Sequence, residues 1–405
     1  MLEEMLPDDD GVLADPYPAY ARLRESGVPH RVTLRSGLYG WLVTRYDDAR
    51  AALADPRLSK DPRNAPPDWQ EAGRGRPLED RSGLGTHLLT TDPPEHTRLR
   101  RLVARYFTPA RLAALRPRVE ERAGALIDGF RARDRAELMG DLASPLQFAT
   151  ICDVLGVPAG DRTDFQRWTK AVVSSGEGRD GEARPEALRR LGAYVGELAA
   201  AKRREPGDDV ISAITVAAEE QDRLSEREML SMIFLLLVAG YETTVGLVGL
   251  GTYTLLRHPD QLRRLRERPE LIDRAVEELL RHDSPVELAT WRFALEPLKI
   301  GGVVVPAGQP ILVALGAANR DPRRFPGPDR PDLAREDNAH LSFGHGPHYC
   351  LGAMLARIVG RAALAAVTGR LTGLALAVPP ETLSWRASLT VRGPQRLPVT
   401  FDAVT

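Results

Sequence analysis

The sequence predicts a mainly α-helical protein with small β-sheets, built as one large domain over residues 1–405. Three observations carry that expectation. Residues 229–256 are apolar and long enough for a helix of many turns. Residues 94–204 read as several further helices, broken around Arg133-Asp134 and again at 176–180. β-Branched runs at 298–314 and 384–401 are cut by Gly and Pro, so strands are few and local.

The remaining elements follow in order. Residues 14–26 form a short amphipathic helix, and 31–46 a hairpin with Ser36-Gly37 at its turn. Residues 47–55 are helical and stop before Pro56. Residues 59–89 hold Pro, Gly and charge, too irregular for core; long loops of this kind are often lids or binding loops. Ser225 and Glu228 form a capping box ahead of the long helix. Residues 269–283 give one more helix, stopped near Pro285.

Charge and cysteine content exclude several classes. With 55 Lys+Arg against 56 Asp+Glu, the net charge of −1 leaves no nucleic-acid footprint. Two cysteines, Cys152 and Cys350, make no disulfide framework and suit a reducing cytosol. Cys152, in an apolar stretch, is expected to be core. The acidic N-terminus has neither the basic region nor the long apolar run of a leader, so a cytoplasmic protein is expected. Residues 229–256 would pass for a membrane span by length. Glu242 at their centre would cost about 2.5–3.5 kcal/mol there, which favours a helix buried inside a soluble protein.

Two clusters carry chemistry. Cys350 ends a Gly-rich run, Phe343-Gly344-His345-Gly346-Pro347-His348-Tyr349-Cys350-Leu351-Gly352, that leads into a helix. A helix N-terminus favours thiolate, and Gly344, Gly346 and Gly352 permit close approach and unusual φ. Such a thiolate is a nucleophile or a metal ligand. A zinc site using His345, His348 and Cys350 lacks a second ligand pair, and a Cys–His nucleophile leaves the other cluster unexplained. That other cluster is Glu242-Thr243, a carboxylate and a hydroxyl between apolar flanks. Buried, they need partners; the plain alternative is a hydroxyl bonded back to an i−4 carbonyl. Ala239-Gly240 removes side-chain bulk just before them.

The chain resembles the cytochrome P450 family over nearly its whole length. The Cys350 loop resembles the haem-binding loop, and Ala239-Gly240-Tyr241-Glu242-Thr243-Thr244 the oxygen-activating segment. Glu278-Leu279-Leu280-Arg281 resembles the structural E-x-x-R, and Asp92 to Arg100 the haem-propionate segment of soluble bacterial members. The resemblance implies the P450 fold, with haem between the long central helix and the helix after the Cys loop. It implies one haem b per chain, ligated by Cys350 and cradled by Phe343, Gly344, Gly352, Ala239 and Gly240. His96, Arg100, Arg292 and His348 would clamp its propionates. Thr243 and Glu242 would be catalytic, delivering protons. Arg330 would complete the Glu278–Arg281 triad, although Pro331 departs from the family's aromatic. Tyr241 and Val359 depart as well, and Tyr241 puts the local water network in question.

The implied activity is a monooxygenase that puts one atom of O2 into a C–H or C=C bond. Electrons would come from NAD(P)H through a separate reductase and a ferredoxin, docking on arginines at 98–105, 116 and 357–361. Residues 284–293 resemble those of macrolide- and polyketide-tailoring members, and the expected substrate contacts are Leu88, Val238, Ala239, Leu288, Ala289 and Leu389. Terpenoid, steroid and fatty-acyl substrates stay open. So do a peroxide-driven or coupling haem enzyme and a non-catalytic partner. A monomer is expected.

Overall fold

The computed structural model describes residues 4–5, 14–33, 38–72, 87–173, 184–220, 224–386, 388 and 390–405. Among these, fifteen α-helices follow the chain: α1 Tyr17–Glu25, α2 Tyr46–Ala54, α3 Pro67–Ala72, α4 Glu95–Ala104, α5 Pro109–Ala113, α6 Arg116–Asp128, α7 Ser144–Leu155, α8 Arg162–Val173, α9 Arg184–Arg204, α10 Val210–Glu220, α11 Glu226–Arg257, α12 Pro259–Glu267, α13 Ile272–His282, α14 Leu315–Asn319 and α15 Ala353–Arg370. The expected turn at Ser36-Gly37, the break at 176–180 and Leu389 lie outside the described residues.

Helix α11 organises the core. Ser225 Oγ accepts the Glu228 N–H and the Glu228 carboxylate accepts the Ser225 N–H, a complete capping box. Met229, Ile233, Leu237, Tyr241, Val245 and Leu250 are all buried, on more than one face. A helix apolar all round must be enclosed, and α7, α9, α13 and α15 pack on it. It is the one helix among the described residues long and apolar enough to cross a membrane, and 72% of its most apolar window is buried in protein.

The main sheet lies beside this helical core. Its order is β1 (Glu4–Met5), β2 (His30–Thr33), β3 (Tyr39–Val43), β9 (Pro310–Val313), β6 (Arg292–Ala294) and β4 (Leu58–Ser59), with β strands numbered along the chain. β2 and β3 are the expected hairpin, with Thr33 opposite Tyr39. β4 pairs with β6 so that Ser59 faces Phe293, which brings Lys60 next to the Thr290-Trp291-Arg292 segment. Residues 59–72 are therefore less irregular than their composition suggests. Trp69 on α3 is 2% exposed and meets Trp291 edge-on at 4.4 Å. Its apolar ring outweighs the polar residues around it.

Behind α15 a carboxylate knot fixes the chain. Glu278 on α13 has no solvent exposure and accepts from Arg281 Nε and Nη2, both at 2.8 Å, and from the Asp332 N–H at 2.8 Å. Arg335 Nε and Asn338 Nδ2 each add a bond at 3.1 Å. Arg335, not Arg330, is thus the third member of the triad. Arg330 points outward to Asp260 at 3.0 Å with its side chain 77% exposed. The turn at 326–332 carries Arg330 outward, and the chain comes back to the knot at Asp332 and Arg335. Arg335→Ala is expected to lose about 1–3 kcal/mol of stability, because Glu278 keeps its charge and loses a charged donor. Arg330→Ala should change stability by less than about 0.5 kcal/mol. Urea unfolding of the two variants decides between these positions.

Candidate functional site

The thiol loop is shaped by its own backbone. Gly344 (φ +73°) and Gly346 (φ +75°) lie in the left-handed region, and a Cβ at 346 would come 2.9 Å from the Ala54 Cα of α2. The Phe343 carbonyl accepts the Cys350 N–H at 2.9 Å. Gly352 differs from expectation. Its φ is −86° and a Cβ there would meet nothing within 4 Å, so the residue faces open space. Cys350 is itself exposed, although protein is dense around its thiol. Burial pushes its thiol up, and the Gly352 N–H, Arg100 and Arg357 only partly offset this. Burial and the helix N-terminus thus act in opposite directions on this thiol. A coordinated cation would reverse the balance, because a ligating thiol is deprotonated outright.

A basic group gathers nearby. The His96 and His348 rings lie 4.1 Å apart. His348 is pulled down to about 2 by burial together with Lys60, His96, Arg292 and Arg100. His96 is lowered by burial and by Arg100, and its buried Nε2 has no hydrogen-bond partner. Arg292 is 4% exposed and donates to the Thr290 carbonyl at 3.1 Å. Arg100 reaches the Tyr349 carbonyl at 2.8 Å. Sequence reasoning brought four of these together and missed Lys60. Lys60 is 1% exposed and donates to Thr290 Oγ1 at 2.6 Å and to the Trp291 carbonyl at 2.5 Å. Its signal was faint: one of four lysines in a chain whose other cations are arginine.

On α11, Thr243 Oγ1 donates back to the Ala239 carbonyl at 2.9 Å, the plain arrangement rather than an open hydroxyl. Glu242 is held by Arg386 from the C-terminal region, Nη1 to Oε1 at 2.6 Å. Burial raises its carboxyl and Arg386 partly restores it. Gly240 turns toward α7, where a Cβ would meet Ile151 Cδ1 at 3.1 Å; its missing side chain serves helix packing. Tyr241 also faces α7, edge-on to Phe148 at 6.3 Å. Among the expected substrate contacts, Leu88 and Val238 share the helical core cluster, with Ala239 packed against it. Ala289 belongs to a second cluster, with Val43 and Tyr46. Leu288, 1% exposed, belongs to the cluster of Tyr17 and Leu312. Cys152 is fully buried, with its thiol pushed up to about 12.

These features fit one kind of group. A thiol open on one side, a glycine facing free space and basic side chains around an unpartnered His96 nitrogen suit an iron macrocycle bearing carboxylates. Among the described residues no cluster of His, Cys, Asp or Glu could hold a metal by itself, so the zinc reading falls. A family model described as Cytochrome P450 matches residues 196–371. Cytochrome P450 107B1 of Saccharopolyspora erythraea is 44% identical over 400 residues, 98% of this chain and 97% of that protein. The chain belongs to the cytochrome P450 family. The 6-deoxyerythronolide B hydroxylase of the same organism is 42% identical over 98% of both chains. A myxobacterial cytochrome P450 crystallised with myristic acid aligns at TM-score 0.89 and 43% identity, covering 97% of this chain and 98% of that one. This P450 is therefore an oxidoreductase, a monooxygenase related to actinobacterial enzymes that tailor macrolides and polyketides, and the family's cofactor is haem iron.

The surface arginines divide. Arg98 pairs with Glu228. Arg116 and Arg361 both lie near Glu120 and Asp273. Arg357 grips Glu277 at 2.6 and 2.7 Å. Arg101 and Arg105 are exposed, and among the described residues neither has an ion pair.

Arg357 ties α15, the helix after the thiol, to α13. It also lies over the Phe343 ring at 4.5 Å. Burial would raise the Glu277 carboxyl, but bonds from Arg357 and His340 win and hold it at about 2. An unfolded carboxyl titrates near about 4.3. The folded value is the lower one, so its stabilisation is present above the unfolded value and is lost as pH falls through the folded one. Glu277→Gln should cost about 1–2 kcal/mol at pH 7, a modest figure because Arg357 stays 35% exposed. Its deficit against wild type should vanish as pH falls from about 4.3 toward the folded value. Chemical denaturation across that range checks it, and a deficit that does not change with pH would contradict it.

Proposed function

We propose that this P450 inserts one atom of O2 into a C–H or C=C bond of a macrolide- or polyketide-type natural product. The other oxygen atom leaves as water, with two electrons from one NAD(P)H delivered through a ferredoxin reductase and a ferredoxin. The observation that carries this is a carboxylate beside a hydroxyl, Glu242-Thr243, within an otherwise apolar helix packed on α15, the helix that follows the thiol loop. The hydroxylases among its relatives support the substrate class.

In this reading Cys350 is the protein ligand of one haem b per chain. His96, Arg100, Arg292, His348 and Lys60 would hold its carboxylates, and Phe343, Gly344, Gly352 and Ala239 would pack against it. Haem-thiolate iron, when bound, supplies oxygen activation and O–O cleavage. The chain's own task is to move protons and exclude water. Thr243 relays a proton, taking one up as it gives one, when its hydroxyl turns from the Ala239 carbonyl. Glu242, whose carboxyl burial raises and Arg386 partly restores, passes protons in, and Arg386 holds it in place. Leu88, Val238, Ala289 and Leu389 shape the substrate space. The enzyme works in the cytosol as a monomer, and an acidic ferredoxin docks on the face carrying Arg101 and Arg105.

One reconstitution tests this reading. Purified enzyme is given NAD(P)H, a surrogate ferredoxin with its reductase, and a panel of macrolactones chosen by spin-state shift. Thr243→Ala should keep substrate affinity and NAD(P)H consumption but lose product to peroxide. Reversing Arg101 and Arg105 to Glu should slow reduction at low salt only, because the Debye length shrinks from about 10 Å at 0.1 M to about 3 Å at 1 M. Turnover with peroxide but not with ferredoxin would refute the electron route. Unchanged coupling in Thr243→Ala would refute the proton route.

A further inference from the structure

Two consecutive carbonyls of α11 each receive a side-chain donor. Thr243 Oγ1 bonds Ala239 O at 2.9 Å, and Gln147 Nε2 on α7 bonds Gly240 O at 2.6 Å. In an α-helix these carbonyls also serve the N–H groups four residues on, those of Thr243 and Thr244. Side-chain donors compete with those bonds and loosen or bend the turn. The turn whose carbonyls are shared in this way carries Glu242 and Thr243. Gln147 is held to it closely, because Ile151, one turn further along α7, sits against Gly240.

The other end of Gln147 is unsatisfied. The residue is 1% exposed, and its Oε1 is buried with no hydrogen-bond partner. Turning the amide over is no remedy, since it would set two acceptor oxygens 2.6 Å apart. Polar groups share this seam. Ser144, one turn before Gln147, acts on the Tyr241 phenol, which is buried and edge-on to Phe148 of α7 at 6.3 Å. A buried acceptor without a donor, beside further polar groups in an apolar interface, is the usual setting of an internal water.

We propose that Gln147, Ser144 and Tyr241 bind an internal water between α7 and α11, and that Gln147 is a positioning residue that holds the Glu242–Thr243 turn open. The second half rests on the reading that Glu242 and Thr243 deliver protons. It also gives Tyr241 a place: its phenol faces α7 and supplies a partner for the water.

Crystal structures of haem-loaded wild type and Gln147→Leu, at a resolution that shows waters, test the site. An ordered water within hydrogen-bond distance of Oε1, lost in the variant, is expected. A dry Oε1 in the wild type overturns the inference. Peroxide released per NAD(P)H is measured beside this, without substrate, using a plant-type ferredoxin and its reductase. NAD(P)H, O2 and a proton give peroxide, whereas two NAD(P)H, O2 and two protons give two waters. Loss of ordered proton delivery should therefore raise the ratio toward one peroxide per NAD(P)H in Gln147→Leu. Thr243→Ala is run in parallel. A raised ratio in Thr243→Ala with an unchanged one in Gln147→Leu overturns the positioning role alone. Unchanged ratios in both overturn the proton-delivery reading and the role that rests on it. If Gln147→Leu does not fold, Gln147→Met replaces it in both measurements.

Discussion

The interaction on which the rest depends is the burial of the Glu278 carboxylate. A charge with no solvent exposure is tolerable only when several donors replace its water, and here they come from Arg281, Arg335, Asn338 and the Asp332 backbone. Arg281 spends its remaining nitrogen on the Asn319 and Pro328 carbonyls, at 2.9 Å each. Asn319 then holds Leu341 N–H at 2.7 Å and Ser342 Oγ at 2.8 Å. Phe343 follows directly and takes the Cys350 N–H. The position of the thiol is thus fixed through hydrogen bonds that begin at a carboxylate far from it in sequence. Each link is strong only while the others keep water out, so the loop is rigid as a unit.

The same logic recurs where function needs charge. Asp92 accepts Ser59 Oγ and the Lys60 N–H, which seats the buried lysine beside the histidines. Arg386 does this for Glu242 from the far end of the chain. Near α1, Asp283 holds Arg392 at 2.8 Å and the Tyr17 hydroxyl at 2.7 Å, and so ties the N-terminal helix to the C-terminal region. The molecule places its chemistry with buried, hydrogen-bonded charges, while α11 supplies the apolar surroundings that make those charges matter.

Local features were legible in the sequence, and remote pairings were not. The capping box at Ser225–Glu228, the apolar α11, the hairpin and the Cys350 loop all lie within a few residues of their own determinants. Lys60 meets Thr290 across 230 positions, Glu242 meets Arg386 across 144, and Gln147 meets Gly240 across 93. No periodicity records such contacts. Arg335 was missed for a related reason: the turn at 326–332 sends Arg330 outward, and only the path of the backbone says so.

The account stands on Cys350 being the protein ligand of haem iron. The most direct measurement is the absorption spectrum of the reduced, CO-treated protein for wild type, Cys350→Ser and Cys152→Ser. The account predicts the red-shifted band of a thiolate-ligated haem in the wild type and in Cys152→Ser, and its loss in Cys350→Ser. A wild type without that band, or a Cys350→Ser variant that keeps it, would contradict the account.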